Sequence, residues 1–283
     1  ANDSKKKIYM HWMYDVPMGE QLDDDGDSLE SIEGCLTDAQ YNRDEHRKAV
    51  IDDILDNWVS QSHNGKFHAI LATSSIPEAI KYYKLFAQRD CGLKTTAVFD
   101  PSDGNNESSI EKIDGIAQML EDYNSLFGTC FNISGYASFK RDVCARLAHK
   151  TPYTAVENEP SKCLDILIVV DQMLTGYDSK WLNTLYMDKF YKWSNIEMII
   201  QAFSRTNRVF NDDKPHGIIR YYRRPYTMKN IIEYAFEQYS GQKPYGIFAA
   251  KLIQNLENMN AAFSDINDIF KIAGIPDFFK TSR

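Results

Sequence analysis

The sequence predicts a doubly wound α/β domain built on a mainly parallel sheet, with a helical extension at its carboxyl end. Three observations carry this. Short apolar runs at Phe67–Thr73, Thr95–Phe99 and Leu164–Asp171 read as strands buried on both faces, which is what a parallel sheet covered by helices requires. Segments with helical spacing lie between and after those runs, around Pro77–Gln88, Ile110–Leu120 and Ala137–Ala148. The alternation of the two patterns from Asp44 to about Tyr239 is that of strand–helix–strand units. Sites in such folds are expected in the crevice beyond the carboxyl ends of the strands.

Residues 1–43 carry little periodicity and include the acidic run Asp23-Asp24-Asp25 beside Gly26 and Asp27, which repels itself and suits a solvated loop. They are expected to form a linker or edge segment, to which Lys7–Trp12 could add one strand. From Asp44 the pattern turns helical, with Ile51, Ile54, Leu55 and Trp58 at i, i+3, i+4 and i+7 on one stripe. Further strands are predicted at Thr184–Met187 and Gly217–Tyr222, and further helices at Asn195–Asn207 and Met228–Tyr239. Beyond Pro244 strand-like runs stop, while helical spacing continues through Leu252, Leu256 and Met259. The expected organisation is therefore an edge segment at 1–43, an α/β domain at 44–240, and the start of a helical domain at 241–283.

Composition narrows the function classes. The 283 residues are 43% hydrophobic and 25% charged, in the ordinary range for a globular chain. No run approaches the roughly 18 apolar residues of a membrane span. The opening Ala-Asn-Asp-Ser-Lys-Lys-Lys has no apolar stretch behind its charges to make a secretory signal, so a cytoplasmic location and no membrane partner are expected. The five cysteines are widely spaced without a Cys-x-x-Cys pair, which suits reduced structural thiols. The six histidines lack ligand spacing, and no metal site is expected. A net charge of −8 repels a phosphate backbone, so any nucleic-acid contact must be local or shared with another domain. The chain opens without Met and stops shortly after Gly274–Phe279, as a piece of a longer protein would.

The stretch Asn195–Phe210 carries the most chemistry. At about 100° per residue, a helix here places Ile196, Ile199, Ile200 and Phe203 on one face, with Gln201, Arg205 and Arg208 clustered roughly 150° away. Two guanidiniums on a rigid element suit a phosphate, whose oxygens match the guanidinium fork. A solvated basic face with surface salt bridges is the other reading. Upstream, the apolar run Leu164–Asp171 leads into Thr175-Gly176-Tyr177-Asp178, where Gly permits close backbone approach and Thr and Asp offer short polar groups. The run Ile219–Tyr226 interleaves arginine and tyrosine as single-strand binders do, but packing at a sheet edge is the favoured reading. Packing is also the default for Trp181 and Trp193.

Together these residues resemble a known family. Leu164–Asp178 with Leu182–Asp188, and Gln201-Ala-Phe-Ser-Arg-Thr-Asn-Arg208, are similar to motifs V and VI of superfamily 2 helicases, and Phe67–Ala79 to motif IV. The wording Asp-x-x-Leu-Thr-Gly-Tyr-Asp is most similar to the motor (R) subunit of type I restriction enzymes, and the resemblance covers about Asp44 to Tyr239. It implies the second RecA-like lobe of an ATP-driven DNA translocase. Arg208 would be the arginine finger that reaches the γ-phosphate of ATP on the other lobe, with Arg205 beside it. Gln201 would couple nucleotide state to the lobe interface, and Gly176 and Asp178 would lie near the nucleotide. Thr175, Thr73, Ser74 and Ser75 would face the nucleic-acid backbone, although the serines could equally cap the helix near Pro77.

The resemblance further implies ATP and Mg2+ as cofactors and duplex DNA as substrate. Its implied partners are an amino-terminal nuclease, a first helicase lobe, and modification and specificity subunits. This chain has no Gly-x-x-x-x-Gly-Lys-Ser/Thr loop, no Asp-Glu-x-His motif and no convincing nuclease core. Alone it is expected neither to hydrolyse ATP nor to cut DNA. Two other readings stay open: the second lobe of a different superfamily 2 translocase or remodeller, and a module that binds a phosphate ligand or protein partner without motor function.

Overall fold

A computed structural model describes residues 3–23, 25–89, 91–99, 109–170, 178–210, 212–240 and, within 259–271, all but 262, 265 and 267. In chain order the helices are α1 (Asp3–Met10), α2 (Asp38–Tyr41), α3 (Asp44–Gln61), α4 (Ile76–Gln88), α5 (Ser109–Phe127), α6 (Tyr136–Leu147), α7 (Ile196–Phe203) and α8 (Pro225–Ser240). The strands are β1 (His68–Thr73), β2 (Thr95–Val98), β3 (Ile166–Val169), β4 (Leu182–Asp188) and β5 (Ile218–Tyr221). They form one sheet in the order β2-β3-β1-β4-β5, every pair parallel, with Leu71 opposite Ile168 and Tyr186. β1, β3 and β4 are buried at every position, as the unbroken apolar runs require of strands covered on both faces. The expected stripe on α3 buries Ile51, Ile54 and Trp58, with Leu55 half-buried at its margin.

The chain divides into two compact units, Ala1–Ala235 and Phe236–Arg283. In the second, helical residues between 259 and 271 expose Met259, Phe263, Ile266 and Ile269. The predicted strand at Lys7–Trp12 is a helix instead, lying in α1 and the wide π turn His11–Asp15 that follows. Lys5, Lys6, Lys7 and Met10 are good helix formers, and the segment pairs with no strand of the sheet, so nothing offsets that local preference. Gly19, Glu20 and Glu33 lie against the start of α8. The buried Glu33 carboxylate accepts from the backbone N–H of Tyr226 and Thr227 (3.1 and 2.7 Å), Glu20 N–H donates to Thr227 Oγ1, and Asn230 donates back to Glu20 O. An anion there answers both the orphan amides and the dipole of a helix N-terminus.

The crevice beyond the carboxyl ends of β1 and β4 is the switch point of this sheet, because β1 leads toward β2 on one side and β4 toward β5 on the other. It is filled from within. Asp188, at the end of β4 and 0% exposed, accepts from His46 Nε2 (2.7 Å), Tyr82 Oη (2.9 Å) and the Arg223 fork (2.9 and 3.0 Å). Beside it Arg47 forks onto Glu78, both contacts 2.7 Å, and Arg47 and Arg223 both reach Asn42. Burial alone would push the Asp188 carboxyl up, but the hydrogen bonds from His46 and Arg223 outweigh it and hold the carboxyl below its ordinary range. The Ile219–Tyr226 run is spent here and nearby: Arg220 and Tyr222 bind Asp53, while Arg223 binds Asp188.

Asp188→Asn should therefore destabilise the domain by about 3–5 kcal/mol, since it leaves the Arg223 guanidinium buried without its counter-charge. The lowered carboxyl also fixes the sign of the pH dependence. Stability from Asp188 is complete above the ordinary value of 3.8 and is lost as pH falls through the lower folded value. Urea unfolding of wild type and variant checks both, and a loss under about 1 kcal/mol near pH 7 would show the network to be dispensable.

Candidate functional site

Of the residues expected at the carboxyl edge, Thr73 is 0% exposed and its hydroxyl donates to Val169 O at 3.1 Å, so it is a core tie and cannot face a nucleic-acid backbone. Ser75 is the N-cap of α4, its Oγ accepting from Glu78 N–H at 3.4 Å. Ser74 between them is exposed. Thr175 and Gly176 lie outside the described residues.

The arginines lie elsewhere. The predicted helix over Asn195–Asn207 ends at Phe203, so Gln201 is exposed on the last turn of α7 while Arg205 and Arg208 are off the helix. The reason is local. Ser204 Oγ donates to Gln201 O (2.7 Å) and Thr206 Oγ1 to Phe203 O (3.0 Å), and the backbone N–H groups of Arg205, Thr206 and Asn207 bond three residues back. Side chains and tight turns thus take up the last carbonyls, and the helix does not propagate. Thr206 is buried, and a Cβ on Gly217 would stand 2.4 Å from its side chain, so only glycine lets the chain entering β5 pass this turn.

This turn sits at the amino ends of the strands. Phe210 packs edge-on against Phe67, which precedes β1, and tilts against Trp181, which precedes β4, at ring distances of 5.5 and 4.6 Å. His149 stacks on Trp181 at 3.9 Å. The segment before β4 is anchored by Ser179, whose buried Oγ donates to Leu147 O and accepts from Trp181 N–H. Its neighbour Asp178 meets Arg208 in a two-pronged pair: Nε to Oδ1 at 2.8 Å and Nη2 to Oδ2 at 2.9 Å. Both side chains stay largely in water, at 60% and 55% exposed. Arg205 is half-buried in the turn. The structure thus joins Asp178 and Arg208, leaves Gln201 exposed on the last turn of α7 with Arg205 half-buried in the turn after it, and puts Ser74 and Ser75 at the opposite edge of the sheet.

Three lysines complete the cluster, and none stood out in the sequence. Lys66 lies over Phe210 while paired with Asp213 (2.5 Å), and Lys180 lies over Phe210 and Trp181. Lys214 is 0% exposed, and its Nζ donates to the carbonyls of Arg208 (2.7 Å) and Lys180 (3.3 Å). No carboxylate pairs with it among the described residues, and burial draws its ammonium down to about 8. His68, in the same corner, is held well below the ordinary histidine range by burial first, then by His149 and Lys214. The run Asp212-Asp213-Lys214-Pro215 reads as a solvated turn in one dimension; only the fold brings Lys214 beneath Arg208. Among the described residues no group of three His, Cys, Asp or Glu side chains is placed to hold a metal ion, and no helix is long and apolar enough to cross a membrane.

An all-parallel sheet flanked by helices, with the exposed Asp178–Arg208 pair at its amino edge, makes this an α/β domain of RecA-like fold. Residues 65–224, more than half of the chain, match the family model "Type I restriction enzyme subunit R domain 3", and the chain belongs to that family. It is 32% identical over 208 residues to the type I restriction enzyme SsaAORF53P endonuclease subunit of Staphylococcus saprophyticus, covering 70% of this chain and 21% of that protein. With the SauMRSORF196P endonuclease subunit of Staphylococcus aureus it shares 31% over 200 residues, 68% of this chain and 20% of the relative. A 60-residue stretch is 42% identical to the HindI endonuclease subunit of Haemophilus influenzae, 21% of this chain and 5% of that one. The chain spans about a fifth of the length of the Staphylococcus relatives.

The buried lysine gives a pH signature of known sign. Its folded value of about 8 lies below the ordinary 10.5, so between the two the unfolded chain holds a proton that the folded chain has released. Stability from this group therefore rises with pH across that window. Urea unfolding of wild type and Lys214→Met at about pH 7 and about pH 9.5 should show wild type gaining on the variant. A constant difference would mean that Lys214 titrates as it does in water.

Proposed function

We propose that this chain is the second RecA-like lobe of an ATP-driven, DNA-translocating restriction subunit, and that Arg208 is its catalytic residue toward ATP bound on another lobe. The observation that carries the reading is the state of the guanidinium. It projects into water from a turn anchored by buried Thr206 and Lys214, and its partner among the described residues, Asp178, is similarly exposed. Exposed ion pairs are typically worth under about 1 kcal/mol, whereas a guanidinium–phosphate fork out of water is among the stronger pairs available to a protein. Exchange of Asp178 for a phosphate is therefore favourable once a second surface excludes solvent.

The chemistry asked of Arg208 is electrostatic. In phosphoryl transfer, negative charge spreads over the transferring oxygens, and a positioned arginine lowers the barrier by about 4–7 kcal/mol, or about 10³ to 10⁵ in rate. A finger supplied from a separate lobe ties hydrolysis to lobe closure, which is how turnover becomes a step along DNA. Arg205 and Gln201 would contact the nucleotide or the facing lobe, and Asp178 and Gly176 would border it. Ser74 and Thr175 remain candidates for the DNA backbone. Thr73 is withdrawn from that role, and Ser75 serves first as a helix cap. Mg2+ would travel with ATP and be held by the lobe that holds the nucleotide. The amino-terminal nuclease, the first lobe, and modification and specificity subunits are the partners this reading requires.

In the intact subunit, Arg208→Ala should lower DNA-stimulated ATP hydrolysis by about 10³ or more; a loss below about tenfold would remove the finger assignment. The chain on its own should bind duplex DNA weakly at physiological salt, because its net charge of −8 opposes the phosphate backbone. Tight, salt-resistant binding in a fluorescence titration would contradict that.

A further inference from the structure

Beneath Arg208 lies a charge that the proposed chemistry does not use. The Lys214 ammonium is wholly buried, and its two acceptors are backbone carbonyls of the two segments that form the surface pair: Arg208 O, and Lys180 O two residues beyond Asp178. The lysine is itself held by the bridge in which Phe210 N–H donates to Lys214 O and Lys214 N–H to Phe210 O (3.0 and 3.1 Å). Burying a charge away from any carboxylate is destabilising, so Lys214 is poorly explained as a stabiliser of the fold. What it secures is direction. With Arg208 O drawn inward at 2.7 Å, the side chain of Arg208 leaves the turn outward, toward Asp178.

We infer that Lys214 is a positioning residue for Arg208, its ammonium pinning the arginine turn to the segment before β4 so that the guanidinium meets its phosphate partner in one orientation. The inference rests on the reading of Arg208 given above and adds a residue that never touches the nucleotide. Misplacing a catalytic group by about 1 Å can cost on the order of a hundredfold in rate, so the effect should be large although the contact is indirect.

The test is a double-mutant cycle in the intact subunit, reading kcat and KM for ATP hydrolysis with linear duplex DNA present. Lys214→Met, which keeps the length of the side chain but not its donors, should lower kcat about ten- to a hundredfold with KM within about threefold. Lys214→Gln, which keeps an NH2 group, should recover part of the loss. In an Arg208→Ala background, Lys214→Met should cost no more than about a further threefold, because a residue acting only through Arg208 has nothing left to position. Losses that multiply in the double variant would assign Lys214 a general structural role and overturn the inference. So would wild-type kcat in Lys214→Met beside a disabled Arg208→Ala. Hydrogen exchange at the amides of residues 208–214 separates this from the finger reading. Faster exchange in Lys214→Met together with an Arg208→Ala loss below tenfold would keep the anchor and discard the reaction it serves, whereas unchanged protection would discard the anchor itself.

Discussion

The carboxylate of Asp188 is the constraint on which the rest of the domain depends. It stands at the end of β4, in the crevice where a doubly wound sheet ordinarily takes its ligand, and receives donors from α3, from α4 and from the chain after β5. Once charged and enclosed, it must be matched on every side. His46, Tyr82 and Arg223 are thereby fixed, and with the first two the helices α3 and α4 that carry them. Arg47 and Glu78 extend the same logic one layer outward. Among the described residues, this crevice is thus occupied by the protein's own side chains.

Under the proposed function, the chemistry falls to the other edge of the sheet. At the amino ends of β1 and β4 the side chains are aromatic and basic: Phe67, Trp181, Phe210 and His149 with Lys66, Lys180 and Lys214. The rings supply a rigid apolar floor without closing over the cations. A lobe that completes a site held mainly by another body needs this arrangement, a firm turn that presents one charged tip, more than it needs a pocket. Under the proposed function, the stiffness beneath Arg208 and the weakness of its surface pair are complementary. One fixes where the guanidinium begins, and the other leaves it free to change partner.

The sheet was legible in the sequence because strands covered on both faces have no polar alternation to obscure them: Phe67–Thr73 and Leu164–Asp171 contain β1 and β3 within a few residues. The buried stripe of α3 was legible for a different reason, the i, i+3, i+4, i+7 spacing of Ile51, Ile54, Leu55 and Trp58. The end of α7 was not. Gln201 to Arg208 keeps helical spacing, and only the hydroxyls of Ser204 and Thr206, together with the close approach of Gly217, stop the helix. Those are contacts with specific carbonyls and with a strand distant in sequence, which periodicity does not register. α1 was misread because Ile8 to Trp12 has strand-forming residues but no sheet edge to join. Asp178 and Arg208 could be singled out as charges beside glycine and apolar runs, yet their meeting at the amino edge, and Lys214 under them, depends on how β4 and β5 lie side by side.

Net charge makes the same point about locality. The chain carries 40 acidic and 32 basic side chains, and on that count alone a phosphate should be repelled. Charges in water are screened beyond about 8 Å at physiological ionic strength, so what a phosphate meets on arrival is set by the nearest groups. Around Arg208 those are Lys214 below and Lys180 and Lys66 across Phe210, with Asp178 and Asp213 each engaged by a cation. A uniformly basic surface would attract any polyanion at long range and would compete with the DNA path of a motor for the same phosphates. Under the proposed function, an acidic lobe with the Arg208 guanidinium held out on a fixed turn would select instead for a phosphate delivered to contact distance by another body. On that reading, hydrolysis would be conditional on closure.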